Sequence, residues 1–286
     1  APPGRTPCSR HAQDRSFAGM CAWLEDACNA TGTGRLFMAD FEHGGVPVRG
    51  LGVSSDVASG EFVACVPKAC WLNEDVLPRA AGAEDCPEYE RLALWLAAEK
   101  ARGLGSFFHP YFPMLPTEEV YRRFHPAYLE GFELDESMNY WKVWLGTLSE
   151  CHGGRESPSW EEAKLAYVQL LTRQYETAGM IPLLDLPNTG PQHELNVAQS
   201  LNTEGDFCLQ ALRNLPAGTE LLVDYGAASH SPTLMFLTYG FALGREHHNE
   251  TVPSDEEYES SEYMLSPRDG CAGLRRPGFR PPADAG

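Results

Sequence analysis

Five short segments carry residue types that can do chemistry. They are Arg49-Gly50-Leu51-Gly52, Arg173-Gln174-Tyr175, Ile181-Pro182-Leu183-Leu184-Asp185-Leu186-Pro187-Asn188, Asp224-Tyr225-Gly226 and Thr238-Tyr239-Gly240-Phe241. Paired glycines behind Arg49 let a ligand approach the backbone closely. An asparagine after a short apolar run and a proline is a turn residue whose amide can tie down a neighbouring backbone. Asp224-Tyr225-Gly226 at the end of an apolar run sets a phenol beside a flexible glycine. Each segment alone also has a plain structural reading, such as a strand end or a turn. Their order along one chain gives them a joint meaning.

The elements that must position these residues are legible in outline. Phe17, Met20, Cys21, Leu24 and Cys28 recur at helical spacing and predict an amphipathic helix over about 15–29. Gly44-Gly45 then reads as a turn before a strand at Val46 to Val53, and Phe62 to Val66 reads as a strand stopped by Pro67. Residues 88–102 form a strong helix candidate. A mostly helical stretch continues to about 178. In it Ser159 and Glu162 make a capping-box pattern that opens a helix carrying Tyr167 to Tyr175. Short strands are expected again at Met180 to Leu184, Phe207 to Leu212 and Glu220 to Tyr225. Residues 1–14 read as loosely ordered, 15–243 as one domain with a helical insert at about 88–178, and 244–286 as an acidic, then Pro- and Arg-rich tail.

Composition narrows the function. The formal net charge of −18 argues against a nucleic-acid binder, which needs clustered Lys and Arg, and suits a basic protein partner. No stretch approaches the ~20 apolar residues of a membrane span. The nine cysteines read either as buried thiols or as disulfides of a secreted chain, in which Asn29-Ala30-Thr31 and Asn249-Glu250-Thr251 would be glycosylation acceptors. Cys65, Cys70 and Cys151-His152 read as core or surface residues rather than metal ligands, and no metal site is expected.

Taken together, the sequence resembles the SET-domain family, and within it the branch of Rubisco large-subunit and actin-histidine methyltransferases. The resemblance runs from Val48-Arg49-Gly50-Leu51-Gly52 through Gly60-Glu61, Val66-Pro67 and Tyr111-Phe112-Pro113-Met114-Leu115-Pro116. It continues through Thr172-Arg173-Gln174 and the Pro-Leu-x-Asp-x-x-Asn run ending at Asn188. It closes with Pro216-Ala217-Gly218-Thr219-Glu220, Asp224-Tyr225-Gly226 and Tyr239-Gly240-Phe241. It implies an α+β protein with a β-rich SET core, a β-clip threaded as a pseudoknot, carrying a mostly helical insert.

The resemblance also implies roles. The activity would be S-adenosyl-L-methionine-dependent N-methylation of a lysine on another protein. Arg49, Gly50, Leu51, Gly52, Arg173, Asp185, Asn188, Thr189 and Tyr225 would hold the cofactor. Tyr225 would be the catalytic phenol, and Tyr175 and Tyr239 would wall the substrate channel. Lysine-type members carry an aromatic where Tyr175 stands, and the actin-histidine type carries Asn. A histidine methyltransferase and an inactive SET-fold binding module are the alternatives. The family's usual Asn-His is Asn188-Thr189 here, and its large helical substrate-binding domain is not expected in the stretch after Phe241. Plastid or cytoplasm follows from the resemblance, and a secretory route from the cysteines and tripeptides.

Overall fold

The computed structural model describes residues 6–7, 15–76, 86–128, 140–154, 158–175, 178–226, 232–241, 243, 264–265 and 274–275. The chain divides into two units. The first comprises 1–117, 142–190 and 194–224, and the second 118–141, 191–193 and 225–286.

In the first unit a two-residue strand, β1 (Thr6–Pro7), precedes α1 (Arg15–Cys28), whose Phe17, Met20, Cys21, Leu24 and Cys28 are all buried as their spacing requires. The hairpin of β2 (Leu36–His43) and β3 (Val46–Val53) follows, in the register Phe37↔Gly52 and Ala39↔Gly50, with β1 on the outer edge of β2. β4 (Phe62–Val66) lies beside β8 (Phe207–Ala211), and β8 beside β7 (Val197–Leu201), all antiparallel. The helices α2 (Glu88–Ala101) and α5 (Trp160–Leu171) pack on each other, and α4 (Tyr140–His152) precedes α5. The capping box at Ser159 and Glu162 is formed as expected. A small hairpin pairs β5 (Gln174–Tyr175) with β6 (Gly179–Met180).

Several expectations are corrected. The helix that opens at Ser159 ends at Leu171 rather than reaching Tyr175, because the Thr172 hydroxyl bonds back to the Val168 carbonyl and the chain turns into β5. Past Met180 there is a turn in place of a strand: Leu183 takes φ +75° and Asp185 N–H donates to Ile181 O at 3.0 Å. Proline at 182 and a left-handed residue at 183 cannot continue a ladder. Glu220 to Tyr225 makes isolated bridges, Gly52↔Glu220 and Asn188↔Leu222, instead of a strand. Within residues 1–14 only Thr6–Pro7 is described, and it is paired; most of the tail lies outside the described residues.

Of the two readings of the cysteines, the described ones follow the disulfide reading. Cys28–Cys70, Cys65–Cys208 and Cys86–Cys151 are disulfides, and Cys21 is bonded to a partner outside the described residues. Cys65, Cys70 and Cys151 are therefore buried residues that are also cross-linked. Cys65 and Cys208 stand opposite each other in the β4–β8 register, which puts their Cα atoms 4.1 Å apart.

The second unit holds α3 (Glu118–Tyr121) and α6 (Pro232–Tyr239). The last carbonyls of a helix have no partner within it. In α6, Leu237 O accepts from Trp141 Nε1 at 2.9 Å and Thr238 O from fully buried His125 Nε2 at 2.9 Å. Ala127 N–H donates to His125 Nδ1 at 3.3 Å, so the bonding pattern assigns the ring proton to Nε2. The short strands β9 (Met264–Leu265) and β10 (Leu274–Arg275) pair with each other.

Between α2 and α5 the ammonium of Lys100 donates to Gln169 Oε1 at 2.8 Å. Burial pulls its pKa down to about 8, against the opposing pull of Glu162. An unfolded lysine keeps its proton to about pH 10.4. Between those values the unfolded chain binds more protons, so stability rises with pH. Denaturant titrations should show the parent chain gaining roughly 1–3 kcal/mol on Lys100→Met as pH goes from about 7.5 to about 10.5, a range set below the full shift because Lys100 is part-exposed. Parallel pH curves for the two proteins would contradict a desolvated Lys100.

Candidate functional site

In the first unit, three segments that are far apart in sequence meet on one small patch. β3 supplies Arg49 and Gly50, the turn after β6 supplies Asn188, and the chain before Tyr225 supplies Glu220. Asn188 Nδ2 donates to Arg49 O at 3.2 Å and to Glu220 Oε1 at 2.8 Å. His43 Nε2, at the end of β2, lies 3.0 Å from both Glu220 oxygens. The 218–223 stretch is held on two sides. Leu221 N–H donates to Leu51 O at 2.7 Å, and Val223 N–H to Asn188 O at 2.9 Å. Buried Asn196 completes the stretch: its Nδ2 donates to Glu220 O at 2.7 Å and its Oδ1 accepts from Leu222 N–H at 2.9 Å.

Both glycines of Gly50-Leu51-Gly52 are required by close approach. A Cβ on Gly50 would lie 2.6 Å from Asn188 Nδ2 and 2.6 Å from Glu220 Oε1; one on Gly52 would lie 2.6 Å from Phe37 Cζ. Leu51 between them is fully buried. The Arg49 guanidinium is engaged away from its own backbone, with Nη2 donating to Met114 O at 2.8 Å.

The second cluster of the unit is buried and polar. The Asp185 side chain is fully inaccessible. Its Oδ2 accepts from Tyr111 OH at 2.5 Å and from Arg173 Nη1 at 3.3 Å, and Arg173 Nη1 also donates to Asp185 O at 3.0 Å. Burial pushes the Asp185 carboxyl above the usual carboxylate range, while the Arg173 charge and the Tyr111 hydrogen bond oppose it. Among the described residues, Asp185 Oδ1 and Thr189 Oγ1 are buried with no hydrogen-bond partner. Buried polar atoms are rarely left so, and each marks a place where a bound polar group or water would be welcome.

The tyrosines fall in two groups. Tyr175 belongs to the first unit: its ring lies 4.5 Å from that of Phe207 and its hydroxyl donates to Leu184 O. Tyr225 and Tyr239 belong to the second, with rings 4.8 Å apart, Phe241 6.4 Å from Tyr225, and Tyr239 OH donating to Tyr225 O at 3.3 Å. The structure thus brings Arg49, Gly50 and Asn188 together, joins Arg173 to Asp185, and sets the rings of Tyr225 and Tyr239 against each other at a tilt of 34°.

Sequence reasoning missed His43, Tyr111 and Glu220. Glu220 was visible only as the end of a Gly-Thr-Glu turn, and Tyr111 only as part of an aromatic, Pro-rich segment. Among the described residues no group of three or more His, Cys, Asp or Glu is arranged to hold a metal ion, and no helix is long and apolar enough to cross a membrane.

No family model matches the sequence, and no curated protein matches it. Solved structures do. A SET domain of LSMT bound to lysine and AdoHcy superposes with a TM-score of 0.60 at 17% identity, over 82% of this chain and 58% of that one. Rubisco LSMT bound to sinefungin and monomethyllysine gives 0.61 at 19% identity, over 82% and 57%. Rubisco LSMT bound to AdoMet gives 0.62 at 17% identity, over 92% and 65%. The chain therefore has the mixed helix-and-sheet fold of these SET-domain structures, and spans less than two thirds of their length.

Proposed function

We propose that this chain is an S-adenosylmethionine-dependent protein methyltransferase acting on lysine. The observation that supports the reading most is that Arg49, Gly50 and Asn188, from motifs far apart in sequence, meet on one patch through Asn188 Nδ2. The fold shared with structures bound to AdoMet, or to lysine and AdoHcy, supports it.

The residues present suit the cofactor. The buried, unpartnered oxygens of Asp185 and Thr189 flank Asn188 in sequence and can accept or donate to a polar ligand. Arg173 supplies a cation for a carboxylate, and the Gly50–Gly52 backbone leaves room for close approach. When bound, S-adenosylmethionine supplies an electrophilic methyl group on a sulfonium sulfur. This chain's part is to orient, to exclude water and to receive an amine as its free base. Methyl transfer is an in-line displacement, so alignment of nucleophile and methyl accounts for much of the rate. Tyr225, set between Asp224 and Gly226, would direct its phenol oxygen at the polarised methyl through weak C–H···O contacts. Aromatic rings such as Tyr239 would hold an aliphatic amine stem and its cationic head before deprotonation. Tyr175, an aromatic where the histidine-specific relatives carry Asn, favours lysine. We further propose that the 218–225 stretch forms the family's pseudoknot.

One experiment tests the whole reading. S-adenosylmethionine binding is measured by calorimetry, and labelled methyl transfer to a protein extract is followed by mass spectrometry of the product. Binding should be seen below the millimolar range, with the mark on lysine. Absence of binding at millimolar cofactor would remove the enzyme, and a mark on histidine would replace lysine as substrate. Tyr225→Phe should bind cofactor nearly as well and melt at nearly the same temperature. Its turnover should fall at least about tenfold, or ~1.4 kcal/mol in the barrier. An unchanged rate in the folded fraction would take Tyr225 off the catalytic list.

A further inference from the structure

Every described cysteine is in a disulfide. Cys28, Cys65, Cys70, Cys86, Cys151 and Cys208 form three described pairs whose Cα atoms are 6.0, 4.1 and 5.8 Å apart, and Cys21 is bonded to a partner outside the described residues. The pairs lie in different parts of the first unit: α1 to the turn after β4, β4 to β8, and the entry to α2 to α4. Cys65, Cys70 and Cys208 are buried, so these bridges are built into the core. Reducing compartments keep thiols reduced, and a chain with so many core cross-links belongs in an oxidising one.

A second, independent feature points the same way. Asn29-Ala30-Thr31 is an acceptor tripeptide for N-linked glycan. It sits where a glycan could be carried: Asn29 and Thr31 are both exposed, and Asn29 is the first residue after α1. Its φ of +57° and the Ala30 N–H to Leu24 O bond of 3.0 Å make it the left-handed residue of a helix C-terminal cap. That cap projects from the end of α1. Thr31 is anchored by its backbone alone, to Cys65, at 2.9 and 3.0 Å.

We infer that this chain matures in an oxidising, glycosylating compartment and that Asn29 is an N-glycan acceptor there. In the glycosylation step Asn29 Nδ2 attacks the anomeric carbon of a lipid-pyrophosphate-linked oligosaccharide. The C–N bond forms as the C–O bond to pyrophosphate breaks, the amide proton passes to a base, and the lipid pyrophosphate leaves. In the companion step each pair of thiols gives two protons and two electrons to a disulfide-bearing oxidant and becomes a disulfide. Neither step depends on methyl transfer, so this inference stands or falls separately from the catalytic reading.

The test expresses the full chain behind a secretory leader in eukaryotic cells and, in parallel, in a reducing cytosol. Asn249→Gln is the background, so that Asn29 is read alone. Glycan is removed with an amidase that leaves Asp at the acceptor, and peptides are read by mass spectrometry. Thiols are alkylated before reduction. The expected result is Asp at position 29 in the parent and in Thr31→Ser, and none in Thr31→Ala or Asn29→Gln. Cys65 and Cys208 should resist alkylation until reduced, and the cytosolic product should be insoluble or melt far lower. A secreted, folded chain with unmodified Asn29 would overturn the acceptor site. A cytosolic product as stable as the secreted one, with Cys65 and Cys208 free, would overturn the compartment.

Discussion

Gly50→Ala should weaken S-adenosylmethionine binding about a hundredfold while leaving secondary structure and most of the stability intact. The new methyl group would sit 2.6 Å from Asn188 Nδ2 and from Glu220 Oε1, and 3.0 Å from Phe41 Cδ2. The first two atoms are side-chain ends, so the fold relieves the clash by swinging them aside rather than by moving strands. That relief breaks the bond between Asn188 and Glu220 and the one from Asn188 to Arg49 O, which together set the direction of the amide. Loss of two such bonds, one part-buried and one exposed, corresponds to roughly 2–3 kcal/mol, or about two decades in Kd. Asn188→Ala should cost about 1–3 kcal/mol on the same scale, because the backbone around it is kept. Calorimetry gives the Kd values and circular dichroism the fold. A Gly50→Ala protein with the parent's spectrum and the parent's Kd would exclude the β2–β3 hairpin from the cofactor site.

The largest loss of stability should come from removing the Cys65–Cys208 bridge. The two cysteines are 143 residues apart in sequence, so the bridge closes a long loop of the unfolded chain. Chain-entropy reasoning assigns such a cross-link about 3–5 kcal/mol. Cys28–Cys70 closes a loop of only 42 residues and should matter less, by about 1 kcal/mol on the same model. The double variant Cys65→Ala and Cys208→Ala keeps buried hydroxyls out of the comparison. Denaturant unfolding of the two double variants gives both the size and the order. A loss under about 1 kcal/mol for the Cys65–Cys208 pair would mean that the other bridges already restrain the unfolded chain.

The elements read from sequence are those with a local signature. The helix α1 follows from a buried stripe at helical spacing, α5 opens at a capping box that closes on itself over three residues, and β3 and β4 follow from apolar runs bounded by glycine or proline. The strands β2 and β7 were passed over. Leu36–His43 loses its alternation where three buried residues run together, and Val197–Leu201 buries only Val197 and carries weak strand formers after it. The turn at Ile181 to Asp185 reads as a strand because its apolar residues are all buried, a pattern that a buried turn shares.

The candidate site divides in the same way. Asn188, Arg173, Asp185 and the glycines of β3 were singled out because short motifs carry them, and Tyr225 because it stands in Asp-Tyr-Gly after an apolar run. Sequence by itself determined that the chain mixes helix and sheet, and it put these residues forward as candidates. Only the tertiary structure decided which partners complete them. His43 meets Glu220 across 177 residues, Asn188 meets Glu220 across 32, and Tyr111 meets Asp185 across 74. It also decided which cysteines are bridged, since spacing leaves the connectivity open. The physical reason is that local patterns fix the face each residue presents, whereas contacts between distant segments depend on loop closure and packing summed over the whole chain.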